Sequence, residues 1–268
     1  MKKILTLVLA PVLALCGLSL PAVADEMDYG HVRLLNGWQM PDGSQQAALL
    51  FELNDGWKTY WRAPGPNGIP PRFDWLGSRN LGNVAISWPT PHMVGPEGGQ
   101  ALGYSGQVVI PIRFFPQQNG PVSVALYLEF GVCSDICIPA SLSLLATLDP
   151  AQTEGRSTIE AALRDVPQDG AGGQLAAYGC AIRPAPNGYD VATRLELRQP
   201  DSDALVVIEY DNPRSWVELA TQSSEGAVLS AQGRIRFAGG SGMVERDRLR
   251  VTVLANGGAF EMRGCPSG

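Results

Sequence analysis

Histidine is nearly missing from these 268 residues: His31 and His92 are the whole supply, which excludes a zinc site built from several imidazoles. Basic residues are also few, 20 lysines and arginines against 26 acidic side chains, and they never form a run. Nucleic acid and anionic membrane surfaces are therefore poor partners for the chain. A serine nucleophile elbow, a phosphate-binding loop and a metalloprotease helix are absent from the sequence. Helical periodicity is almost absent too. After the first 20 residues no apolar run approaches the roughly 20 residues that cross a bilayer, so no membrane span is expected in the mature chain. No cofactor is expected either.

The one long apolar run lies at the start. Lys2 and Lys3 precede Ile4 to Leu20, and Ala22-Val23-Ala24 supplies the small residues that signal peptidase reads. Pro11 interrupts the run, which argues against a retained anchor. Leu15 stands where a lipoprotein signal carries a small residue, so Cys16 is expected to leave with the leader. Cleavage after Ala24 leaves 244 residues, enough for two cores, and the net charge of −6 becomes −8 once Lys2 and Lys3 are gone. Four cysteines remain, an even number suited to an oxidising compartment outside the cytoplasm.

What fills the mature chain is frequent Pro and Gly with recurring apolar alternation, an all-β signature. Val122, Val124, Leu126, Leu128 and Phe130 alternate with Ser123, Ala125, Tyr127 and Glu129, which gives one core face and one outer face. Leu142, Leu144, Ala146 and Leu148 repeat the pattern, and Ala47 to Leu53 and Val108 to Phe114 are earlier strand candidates. Thr158 to Val166 reads as a short helix and Asp169 to Gly173 (DGAGG) as a flexible link. Strand-like segments resume at Tyr189 to Leu197, Ala204 to Tyr210, Arg234 to Phe237 and Leu249 to Leu254. Two immunoglobulin-like β-sandwiches are expected, 25–150 and 174–268, joined by a helix and linker at 151–173.

The cysteines fall into two kinds. Joining Cys180 to Cys265 closes a loop of 86 residues, worth roughly 4 to 5 kcal/mol of chain entropy, and reads as a structural staple. Cys133 and Cys137 enclose five residues, for which the same estimate is only about 2 kcal/mol before any strain. A bond that stabilises so little is readily reduced, the property a redox-active disulfide needs. The pair is expected on a loop between a strand ending at Phe130 and one beginning near Ala140, with Gly131 permitting departure from the strand and Pro139 holding Ile138 extended. Asp135, between the sulfurs, disfavours thiolate, so the dithiol reads as guarded until a docked partner changes its surroundings.

The segments GWKTYWRAPGPNGIPPRFDW (Gly56 to Trp75), SWPTP (Ser87 to Pro91), LGYSG (Leu102 to Gly106) and GVCSDICIP (Gly131 to Pro139) resemble the N-terminal periplasmic domain of DsbD-type thiol:disulfide interchange proteins, in particular the ScsB-like branch. The second half, with YGC at Tyr178 to Cys180 and GCP at Gly264 to Pro266, is similar to the additional sandwich of ScsB-like proteins. The resemblance implies an immunoglobulin-like first domain whose Cys133 and Cys137 receive electrons and pass them to periplasmic thioredoxin-like or disulfide-isomerase-like proteins. Unlike longer family members, this sequence carries neither a multi-span membrane segment nor a thioredoxin-like domain, so the resemblance implies a membrane electron donor on another chain. Three residues separate its cysteines where some relatives have five, and which cysteine attacks first stays open.

Trp57, Tyr60, Trp61, Phe73 and Trp75 are read first as core packing and second as a cap or docking surface near the sulfurs, with Trp61 and Tyr104 singled out as candidates for it. Pro64, Pro66, Pro70 and Pro71 make the intervening stretch an irregular loop able to shield the dithiol. Two other readings of the close pair remain: a Cu(I) site of Cys133 and Cys137, with Met93 or His92 as a further ligand, and an inert pin in a purely structural interaction module.

Overall fold

The computed structural model describes residues 29–149, 151, 153–170, 174–240 and 242–266. The expected leader lies outside these residues, as do positions 171–173 of the DGAGG stretch. Ten strands come first: β1 (Gly30–Gln39), β2 (Gln45–Leu53), β3 (Lys58–Tyr60), β4 (Arg72–Asp74), β5 (Leu81–Ile86), β6 (His92–Val94), β7 (Ala101–Ser105), β8 (Gln107–Pro116), β9 (Val122–Cys133) and β10 (Cys137–Leu148). The helix α1 (Arg156–Arg164) follows. After it come β11 (Gln168–Asp169), β12 (Leu175–Ala185), β13 (Gly188–Leu197), β14 (Leu205–Tyr210), β15 (Ser215–Glu225), β16 (Val228–Phe237), β17 (Leu249–Ala255) and β18 (Gly258–Arg263). The chain is all-β apart from α1 and one short 3-10 turn among the described residues.

The first half forms a four-stranded sheet, β1-β2-β8-β5, facing a six-stranded one, β10-β9-β3-β7-β6, with β4 also paired to β9. Their inner faces meet through Leu49, Phe51, Ile110, Ile112 and Phe114 from one side and Val124, Leu126, Leu128 and Phe130 from the other. Strand β2 is buried on both faces, which alternation alone does not explain. Its Ala47, Leu49 and Phe51 face the sandwich, while Ala48 and Leu50 lie with Leu35 and Val109 under Ile159 of α1.

The helix starts and ends two residues before the expected Thr158 to Val166. It opens where the Gly155 N–H bonds the Asn36 carbonyl at 3.0 Å, and Arg156 supports its first turn by pairing with Glu160 at 2.8 Å. It stops at Asp165, whose carbonyl accepts both the N–H and the hydroxyl of Thr90, at 2.8 and 2.6 Å. The expected flexible link is likewise corrected at its start. Gln168 and Asp169 pair in parallel with Phe260 and Glu261 as the edge of a sheet.

In the second half β11-β18-β17-β14 packs on β12-β13-β16-β15, burying Val191, Leu195, Val206, Ile208, Leu229, Ile235, Val251 and Val253. Cys180 on β12 is bonded to Cys265 just after β18, so the disulfide ties one sheet of this sandwich to the other. The two halves touch: Leu205, Val207 and Leu254 pack against the core of the first sandwich.

Candidate functional site

Strands β9 and β10 form an unbroken antiparallel hairpin from Val122↔Leu148 to Cys133↔Cys137. Directly opposed residues bring side chains to one face, and here the two sulfurs are bonded, with Cα atoms 4.0 Å apart. The cysteines are therefore the last pair of the ladder, and only Ser134, Asp135 and Ile136 form the tip. This corrects the expected loop from Phe130 to Ala140. Gly131 does not release the chain from its strand, since it pairs with Pro139. A Cβ at Gly131 would stand 2.6 Å from the Tyr60 ring and 2.7 Å from the Ile69 Cβ, so glycine is needed there for close approach. Pro139 is tolerated because β10 is an edge strand.

Strand β3 lies on the other side of β9, with Lys58 opposite Cys133 and Thr59 opposite Val132. Period-2 alternation then puts Lys58 and Tyr60 on the face that carries the sulfurs. The Thr59 hydroxyl donates to the Gly131 carbonyl at 2.9 Å, and the Lys58 ammonium to the Ser134 carbonyl at 3.2 Å. The Tyr60 hydroxyl donates to Cys137 Sγ at 3.0 Å. Burial pushes the Tyr60 phenol above its ordinary range, so it stays protonated and a donor at neutral pH. Only 3% of Tyr60 is exposed.

The two sulfur-bearing residues differ in access. Cys133 is 7% exposed and clusters with Tyr60 and Ala101, whereas Cys137 is exposed. Asp135 is exposed at the tip, and Ile136, Ile138 and Ile69 leave apolar surface around it, Ile136 being 74% exposed.

Trp61 and Tyr104 are not a surface. Trp61 is fully buried with the Arg62 guanidinium stacked 4.3 Å from its ring centre, and Tyr104 is interior, its hydroxyl donating to the Pro89 carbonyl at 2.8 Å. Burial holds the Tyr104 phenol well above its usual range. The residue that covers the sulfurs is Tyr60, a member of the aromatic segment whose second reading is a cap near the dithiol. His92 and Met93 sit on β6, three strands from β9, or about 14 Å at about 4.8 Å per strand. They cannot join the cysteines as ligands. Among the described residues no group of three or more His, Cys, Asp or Glu side chains is placed to hold a metal.

The other disulfide has a closed setting. Cys265 is buried, and Arg246 bonds its carbonyl at 2.8 Å and its sulfur at 3.3 Å.

A disulfide at the end of a ladder, with one cysteine exposed and the other buried, is an arrangement chemically able to exchange with a thiol. Residues 31–148 match the family of the thiol:disulfide interchange protein DsbD, N-terminal, so the likeness spans nearly the whole first sandwich and supports thiol:disulfide interchange as its chemistry. The crystal structure of the N-terminal periplasmic domain of ScsB from Proteus mirabilis is similar in fold, with a TM-score of 0.66 and 22% identity over 92% of this chain and 97% of that chain. That likeness in fold therefore takes in both sandwiches. No curated protein sequence matches this chain.

Proposed function

We propose that the chain is a periplasmic thiol:disulfide exchange protein, taking electrons from a membrane-bound reductant and passing them to thioredoxin-like or disulfide-isomerase-like proteins through Cys133 and Cys137. The observation that carries this reading is an exposed Cys137 bonded to a buried Cys133 at the end of a hairpin. A donor thiolate attacks Cys137 Sγ, the disulfide breaks, and Cys133 leaves as a thiolate that takes a proton from water. The donor's second thiol then attacks its own sulfur in the mixed disulfide and releases Cys137. Two electrons have moved: the donor is now a disulfide and the hairpin a dithiol. Toward an oxidised target the steps reverse, with Cys137 attacking and Cys133 resolving. Tyr60 supplies a hydrogen bond to the Cys137 sulfur when it is a thiolate, while Asp135 keeps the free dithiol from ionising too readily. The export pattern at residues 1–24 and the family match support the periplasmic setting.

Trapping tests the assignment. A Cys133→Ser variant keeps the exposed thiol without its resolving partner, so it is expected to accumulate mixed disulfides with thioredoxin-like proteins. Cys137→Ser is expected to trap far fewer. Capture by neither variant, or through Cys133 alone, contradicts the assignment.

A further inference from the structure

A cluster of charge between the two sandwiches ends at the segment that covers the dithiol. Arg62 is the second residue of the irregular stretch joining β3 to β4, and both of those strands pair with β9, the strand that carries Cys133. Tyr60 precedes Arg62 by two residues and bonds the Cys137 sulfur; further along, Ile69 lies over Gly131. The stretch is thus held to the hairpin at both ends.

Arg62 itself is held by the other sandwich. Its Nε donates to Glu209 Oε1 at 2.9 Å, and its Nη2 to Glu209 Oε2 at 3.0 Å, Glu261 Oε2 at 2.6 Å and Thr252 Oγ1 at 3.3 Å. The Arg62 side chain is 13% exposed, and those of Glu209 and Glu261 are 18% and 12%. Arg250 and Arg263 reach the second oxygen of Glu261 at 3.4 and 3.1 Å. Desolvating so much charge is a poor way to gain stability, and Leu205, Val207 and Leu254 already supply apolar contact between the halves. What a forked guanidinium adds is a fixed direction.

We infer that Arg62 is a positioning residue for the dithiol, and that Glu209 and Glu261 of the second sandwich keep the Tyr60 segment seated over the Cys133–Cys137 bond. This rests on the redox reading of that bond. The second sandwich then governs how readily a thiol reaches the sulfurs: with the fork intact Tyr60 lies against Cys133 and on the Cys137 sulfur, and with it loosened the segment lifts from both.

The test is a double-mutant cycle on the full oxidised chain, read as the rate of hairpin reduction by dithiothreitol. Glu209→Gln with Glu261→Gln, and Arg62→Lys as the milder change, are expected to speed reduction at least about fivefold, the low end of coupling between distant sites. In a Tyr60→Leu background the same changes are expected to add little, because the shield is already gone. Leu254→Ala loosens the contact between the halves without touching the fork and is expected to leave the rate near wild type. Should the double Glu variant fail to fold, Glu209→Gln alone carries the same comparison. Unchanged rates, full additivity with Tyr60→Leu, or equal acceleration by Leu254→Ala overturns the positioning role. A wild-type hairpin that dithiothreitol never reduces overturns the redox reading instead.

Discussion

At Cys137 two neighbours act on the sulfur in opposite senses. The Tyr60 hydroxyl donates to it and favours its thiolate, while the Asp135 carboxylate two residues away disfavours that charge. Tyr60→Phe removes a donor to a charged sulfur, worth about 1.5 kcal/mol, so alkylation of the reduced hairpin by iodoacetamide at neutral pH is expected to slow roughly tenfold. Asp135→Ala is expected to speed the same reaction about twofold, a small effect because the tip is solvated and screened; an unchanged or slower rate contradicts the guarding role. Asp135 is legible in the sequence because it lies between the cysteines. Tyr60 is legible only as one of several aromatics able to cap the dithiol; its bond to Cys137 is not, since the two stand 77 positions apart and meet only through the register of β3 against β9. The fork from Arg62 to Glu209 and Glu261 escapes sequence reading for the same reason.

The hairpin is the element that turns two cysteines into a site. Its strand β9 is legible because Val122 to Phe130 alternate cleanly, but the ladder continues through Gly131 and Val132 to Cys133, where Gly and Pro suggest an end. What extends it is pairing on both sides, with β10 and β3. Gly131→Ala places a methyl group against Tyr60 and Ile69 and is expected to lower stability by about 1 to 3 kcal/mol in urea unfolding, and to speed hairpin reduction. Ile159→Ala, on the face of α1 that packs against the outer side of β2, is expected to cost about 2 to 4 kcal/mol yet leave the reduction rate unchanged. Other strands left little trace. The edge strand β15 (Ser215–Glu225) is exposed along most of its length, and β12 (Leu175–Ala185) shows no regular alternation, so neither carries a period for sequence to reveal.

Across the whole molecule the two disulfides divide the work. Cys180–Cys265 closes nearly the entire second sandwich and ties its sheets together, whereas Cys133–Cys137 restrains almost no chain. Replacing Cys180 and Cys265 with serine is expected to destabilise by about 4 to 5 kcal/mol while exchange at the hairpin persists. The spacing of the four cysteines makes this division legible without coordinates; the unequal access to Cys133 and Cys137 needs the fold, because it comes from Cys133 packing in a cluster with Tyr60 and Ala101. The most direct measurement is to equilibrate the folded protein in glutathione buffers of stepped potential, alkylate, and weigh each cysteine-containing peptide. Cys133 and Cys137 are expected to open together at a moderate potential while Cys180 and Cys265 stay joined. A hairpin bond that resists every reductant until the protein unfolds, or four cysteines released as one, would contradict the division.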